Sequence, residues 1–162
     1  MKEESQRRMF KLLLKKGIKN FLGVPDSTMK YFIDEGLRLK RILVTTREEE
    51  AIGVAVGLLL SRSPSLVFMQ NAGFGNSIST IASLVQLYKI PLIFLLGWRG
   101  YLENDAPEHK LLGKIQPNLI RLLGLKSKIL TDENWEECCE WAIKSTKSGT
   151  PCVLIIRRLF HD

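Results

Sequence analysis

Residues 65–98 read SLVFMQNAGFGNSISTIASLVQLYKIPLIFLLGW. Two short, unbroken apolar runs, SLVFMQ and PLIFLLGW, flank a glycine-bearing loop and a helix-like stretch, NSISTIASLVQLY. A strand with one wet face alternates apolar and polar residues, whereas an unbroken run needs cover on both faces. Two such strands joined through a helix form a parallel pair with a right-handed crossover. The same unit recurs outward in both directions. Upstream, residues 3–16 carry helical apolar spacing at Met9, Leu12 and Leu13 and end at Gly17, a natural left-handed cap. IKNFLG then reads as a strand, Ser27 as the N-cap of a helix TMKYFIDEG, RILVTT as a strand and EAIGVAVGLLLSR as a buried helix. Downstream come HKLLGKIQPNLIRLLG, helical with a break expected at Pro117, then the strand SKIL, the helix DENWEECCEWAIKSTKSG and the strand PCVLII. The alternation predicts α/β architecture. Residues 1–162 make a single three-layer domain with about six mostly parallel strands and helices on both faces.

Composition narrows the function classes. With 45% hydrophobic and 25% charged residues the chain matches a globular domain, and its apolar runs fall short of the roughly 18 residues of a membrane span. The N-terminal segment mixes acids with bases and lacks a small-residue cleavage site, so no signal peptide is read there and a cytoplasmic location is expected. Cys138, Cys139 and Cys152 fit neither a disulfide framework nor a metal motif and are expected to be reduced packing residues. The net charge of +7 comes from bases spread along the whole chain without interleaved aromatics. That predicts a basic surface, with neither nucleic acid nor a membrane as partner.

In parallel sheets ligands bind beyond the carboxyl ends of the strands, so the loops after strands hold the candidate site. Four stand out: GVPDS (23–27), TTREEE (45–50), QNAGFGN (70–76) and GWRGYLENDAPEH (97–109). In GVPDS, Ser27 offers a hydroxyl and a backbone N–H at a helix start, an anion site or a plain capped turn. In QNAGFGN, Gly73 and Gly75 allow close approach of a ligand. This is not a dinucleotide fingerprint, because Ile78 stands at the third glycine position, and the chain has no Walker loop. TTREEE sets three glutamates against a helix whose Ala51, Gly53, Ala55 and Gly57 let another backbone pack closely. A carboxylate at the mouth of such a surface is desolvated and needs a partner. For Glu49 and Glu50 the preferred reading is an acidic first turn favoured by the helix dipole.

In their order and spacing, GVPDS, TREEEAIGVAVGLLL, MQNAGFGNSISTIASL, YKIPLIFLLGWRG and DAPEHKLLGKI resemble the pyrimidine-binding (PYR) domain of thiamine-diphosphate-dependent 2-oxoacid decarboxylases, nearest to sulfopyruvate decarboxylase alpha subunits and phosphonopyruvate decarboxylases. The resemblance spans nearly the whole chain. It implies that Glu48, nine residues before Gly57, hydrogen-bonds N1′ of the cofactor's aminopyrimidine and favours its imino tautomer. It also implies cofactor contacts from Gly73, Phe74, Gly75 and Asn76, and substrate contacts from Asp26, Ser27, Gln70, Asn71 and Arg99. His109 would be catalytic, by proton transfer or substrate binding, against the alternative of a packing histidine. Arg99 is open between pairing with a sulfonate or phosphonate and fixing its own loop.

Enzymes of this kind hold the diphosphate through Mg²⁺ in a second domain marked by G-D-G, and no G-D-G occurs in this sequence. The resemblance therefore implies a thiamine diphosphate site shared with a separate PP-domain (beta) subunit that holds the Mg²⁺, with no metal ligands in this chain. Homo-association through PYR domains is also expected. The implied reaction converts sulfopyruvate, a small anionic 2-oxoacid, to sulfoacetaldehyde and carbon dioxide in coenzyme M biosynthesis. A phosphonopyruvate decarboxylase subunit and a non-catalytic α/β module are the alternatives; a nucleotide-binding regulatory domain is disfavoured for want of a phosphate fingerprint.

Overall fold

A computed structural model describes residues 1–102 and 105–157. The apolar runs form β1 (Asn20–Gly23), β2 (Ile42–Val44), β3 (Ser65–Gln70), β4 (Ile93–Trp98), β5 (Lys126–Leu130) and β6 (Cys152–Arg157). They make one sheet in the order β2-β1-β3-β4-β6-β5, parallel at every pairing. The sheet is buried on both sides, as unbroken apolar strands require. Ile93 and Leu95 of β4 enter one apolar layer, and Phe94 and Leu96 the other.

The first layer is closed by α1 (Glu3–Lys15), α2 (Lys30–Arg38) and α7 (Trp135–Lys147). Phe10, Phe21 and Phe32 meet there with ring centroids 4.2–5.9 Å apart. All three cysteines are buried in this layer, and burial pushes the Cys139 and Cys152 thiols up to about 12, so they are inert packing groups. At its rim the Glu35 side chain, 3% exposed, is paired with Arg38 (2.6 Å), Arg7 (3.4 Å) and Lys11 (3.5 Å). Hydrogen bonding to Arg38 leads the effects that hold its carboxyl down to about 2. The second layer is closed by α3 (Glu48–Leu60), α4 (Asn71–Asn76), α5 (Ile78–Thr80) with a π-helical continuation over Ile81–Gln86, and α6 (Pro107–Leu122). Among the described residues no helix is long and apolar enough to cross a membrane.

Four local expectations are corrected. The helix does not break at Pro117, because α6 runs through it. Proline withdraws the N–H that Gly113 O would accept four residues back, and the Trp98 indole Nε1–H donates to that carbonyl instead, at 2.8 Å. Gly113 itself lies so close to Gly100 that a Cβ there would overlap the Arg99–Gly100 backbone. The loop expected at 70–76 is helical from Asn71, directly after β3. Ser27 is not an N-cap: it opens a 3-10 turn over Ser27–Met29 and makes no capping bond. Finally, α3 is not buried all round. At 100° per residue its small residues fall on two faces: Ala51 and Ala55 pack inward, while Gly53 and Gly57 look into open space beside exposed Val54 and Leu60.

Candidate active site

The chain leaves β1 for the β2 edge and returns to β3 on the other side of β1, so the strand order reverses between β1 and β3. A crevice opens beyond the strand ends at such a reversal, and the four loops singled out in the sequence converge around it.

Glu48 is the first residue of α3 and half-buried. Its carboxylate rests against the backbone of α4, where a Cβ on Gly73 would overlap it. Glycine at 73 thus makes room for that carboxylate. The neighbouring acids are committed: Glu49 pairs with Arg47 at 3.7 Å, and Glu50 accepts from the Thr46 hydroxyl (2.8 Å) and N–H (3.0 Å), which lowers its pKa. Among the described carboxylates that are buried or half-buried, Glu48 alone has neither a hydrogen bond nor an ion pair.

A second group ties the ends of β1, β3 and β4 together. Asn71, 2% exposed, donates to Arg99 O at 2.9 Å and accepts from Arg99 N–H at 3.4 Å. The guanidinium of Arg99 donates to Asp105 through Nη2 (2.7 Å) and Nε (3.0 Å), and its Nη1 lies 3.5 Å from Ser27 Oγ. Asp105 also accepts from the N–H groups of Gly100 and Ala106, and Arg99 leads the contacts that hold its carboxyl well below the usual carboxylate range. Asp26, buried, accepts from the Thr28 hydroxyl beside Gly97. Gln70 ends β3 and is half-buried. His109, in the first turn of α6, is half-buried with its carbonyl against Gly100.

The cofactor-side residues are less uniform. Gly73 meets Glu48, but the Phe74 ring is withdrawn into the core, edge-on to Phe94 with centroids 6.1 Å apart, so only its backbone faces a ligand. Gly75 lies beside Leu112 of α6, and Asn76 is exposed at the end of α4. Sequence reasoning missed Asp105, Thr28 and the bond from Trp98 to Gly113. An acid directly before Ala-Pro at a helix start was the one visible sign of Asp105; the others depend on tertiary contacts.

The fold and this crevice define a thiamine-enzyme PYR-type domain. The family described as thiamine pyrophosphate enzyme, N-terminal TPP binding domain, matches residues 4–119, and the chain belongs to it. It is 38% identical over 161 residues to the sulfopyruvate decarboxylase subunit alpha of Methanococcus maripaludis, covering 95% of this chain and 96% of that one. The phosphonopyruvate decarboxylase of Streptomyces hygroscopicus is 33% identical over 72% of this chain but only 30% of its own length. In fold the chain matches a benzoylformate decarboxylase from Polynucleobacter necessarius with TM-score 0.75 at 23% identity, over 95% of this chain and 29% of that structure.

Proposed function

We propose that this chain is the alpha subunit of a thiamine-pyrophosphate-dependent 2-oxoacid decarboxylase, with sulfopyruvate as first substrate and phosphonopyruvate as the alternative. The observation that carries the reading is Glu48: a half-buried carboxylate without a partner among the described residues, held at the head of α3 against the backbone of Gly73. Burying a polar group unsatisfied is costly, so such a position calls for a ligand that supplies the missing donor. An aminopyrimidine ring fits, because its N1′ takes a proton from, or shares one with, a carboxylate.

Bound at this site, a thiamine cofactor would supply the electron sink that decarboxylation needs. The chain's own residues supply position and proton control. Glu48 holds the proton at N1′, and Gly73 permits the approach that places it. Arg99, aimed by Asp105 and steadied through its backbone by Asn71, presents Nη1 beside Ser27 Oγ to an anionic substrate group. His109 stands at the mouth of the same loop for proton transfer or substrate binding. Mg²⁺ and the diphosphate belong to a partner subunit carrying G-D-G, and the open face of α3 with Gly53, Val54, Gly57 and Leu60 is available for association between PYR domains.

The test is reconstitution of the chain with a G-D-G-bearing partner, thiamine pyrophosphate and Mg²⁺, reading carbon dioxide release from sulfopyruvate and from phosphonopyruvate. Activity is expected only in the mixture, and Glu48→Gln should remove most of it while Glu49→Gln and Glu50→Gln stay close to the parent. Equal losses at the three positions, or turnover by this chain alone, would overturn the proposal.

A further inference from the structure

Successive residues of a strand face opposite sides of the sheet. At the end of β4, Arg99 turns toward Ser27, while Trp98 and its register partner on β6, Arg157, turn toward α6. A cavity of about 530 Å³ lies there, walled by Trp98, Tyr101, Leu102, Lys110 and Lys114. Lys110 and Lys114 are four residues apart on one side of α6. Leu112, roughly half a turn round, faces Gly75 of α4. The body of α6 therefore stands between this cavity and Glu48.

The cavity is cationic and aromatic together. Lys110 and Lys114 are exposed and form no ion pair among the described residues. The Arg157 guanidinium lies 5.0 Å from the Trp98 ring centroid and 4.8 Å from that of Tyr101, and its Nε is buried without a hydrogen-bond partner. The two rings are 5.4 Å apart. No acidic side chain lines the cavity among the described residues. Two like charges in the wall of one concavity, with Arg157 stacked on its rings and no acid among the described lining residues, leave a potential that an anion relieves. The volume falls in the range of small-ligand sites.

We infer that this cavity is a second anion site, taking a small phosphate or sulfonate ester with a flat apolar body. The ammonium groups of Lys110 and Lys114 donate to the anionic oxygens. Trp98 and Tyr101 pack the apolar part, and Arg157 behind the rings adds to the field. The assignment stands on this cavity's own residues and does not depend on the decarboxylase reading.

The Trp98 indole N–H, fixed on Gly113 O, gives the test a local reporter. Phenyl phosphate is titrated into the full chain at constant ionic strength, following the indole N–H resonances, with that of Trp98 assigned by its loss in Trp98→Phe. A saturable shift of Trp98 is expected, with Trp135 and Trp141 unmoved. The dissociation constant should rise about tenfold or more in Lys110→Gln/Lys114→Gln. It should be unchanged in Ser27→Ala and in Lys126→Gln, the latter a remote exposed lysine that controls for net charge. Absence of saturation by about 10 mM, equal binding by the double variant, or equal weakening by Ser27→Ala would each overturn the site.

Discussion

Three glutamates in a row have three fates, and what each side chain touches decides between them. Glu50 folds back on Thr46 and closes the helix start, Glu49 stays with Arg47, and only Glu48 is left against α4 without a partner. Since Gly73 makes room for that carboxylate, Gly73→Ala should act through Glu48. A methyl group at 73 meets a flexible side chain, which swings aside without unfolding the helix. The expected result is a near-parental melting temperature with decarboxylation of the reconstituted enzyme down about 100-fold, the scale of an ångström-sized misplacement; a large loss of stability would place the role of Gly73 in packing. Asp105 makes the opposite kind of contribution, because it holds a neighbour still. Asp105→Asn weakens the hold on Arg99, so KM for the anionic 2-oxoacid should rise about tenfold, with kcat changed less, as for a lost charge-assisted hydrogen bond. Steady-state kinetics separate the two, and an unchanged KM would mean that Arg99 does not meet the substrate. The sequence motif made Glu48 visible; Asp105 stayed hidden, because a loop aspartate six residues from an arginine is ordinary until the fold buries both.

At the scale of elements, the strands were legible because burial on both faces writes itself as an unbroken apolar run. SLVFMQ is β3 residue for residue. The helices at the site were harder to read, since their decisive contacts come from elsewhere in the chain. Gly73 and Gly75 looked like loop residues, yet they sit in a helix, where Glu48 lies against Gly73. Pro117 looked like a break, yet the carbonyl it orphans is taken by Trp98, a residue 19 positions earlier. That bond predicts non-additivity. Trp98→Phe leaves Gly113 O without its donor and should cost about 1 kcal/mol or more. In a Pro117→Ala background the backbone N–H returns, and the same substitution should cost less. Denaturant melts of the four proteins in the cycle measure the difference, and a coupling near zero would leave the continuity of α6 unexplained.

Over the whole molecule, charge is divided between the crevice at the strand ends and the α1–α2 pair. The crevice keeps Glu48 without a partner among the described residues and Arg99 clamped on Asp105, whereas Glu35 of α2 binds α1 through Arg7 and Lys11 and pairs with Arg38 of its own helix. Both Asp105 in the crevice and Glu35 at the α1–α2 pair therefore contribute to acid stability, and Glu35 can be tested apart from the site. The Glu35 carboxyl is held at about 2 against an ordinary 4.5. A group with its folded-state pKa depressed contributes its full stabilisation above the unfolded value and loses it as pH falls toward the folded one. The contribution should therefore be complete above pH about 4.5 and fade between about 4.5 and 2. The three cationic partners are 31% to 60% exposed, so solvent screens much of their pull. Glu35→Gln should accordingly cost roughly 1–3 kcal/mol at neutral pH, the range for a buried charged acceptor replaced by a neutral one. Its melting temperature should converge with that of the parent as pH approaches about 2, where the native carboxyl is itself protonated. Melts of both proteins across that range are the measurement. A gap that stays constant with pH would show that Glu35 contributes shape and not charge, because packing has no proton to lose.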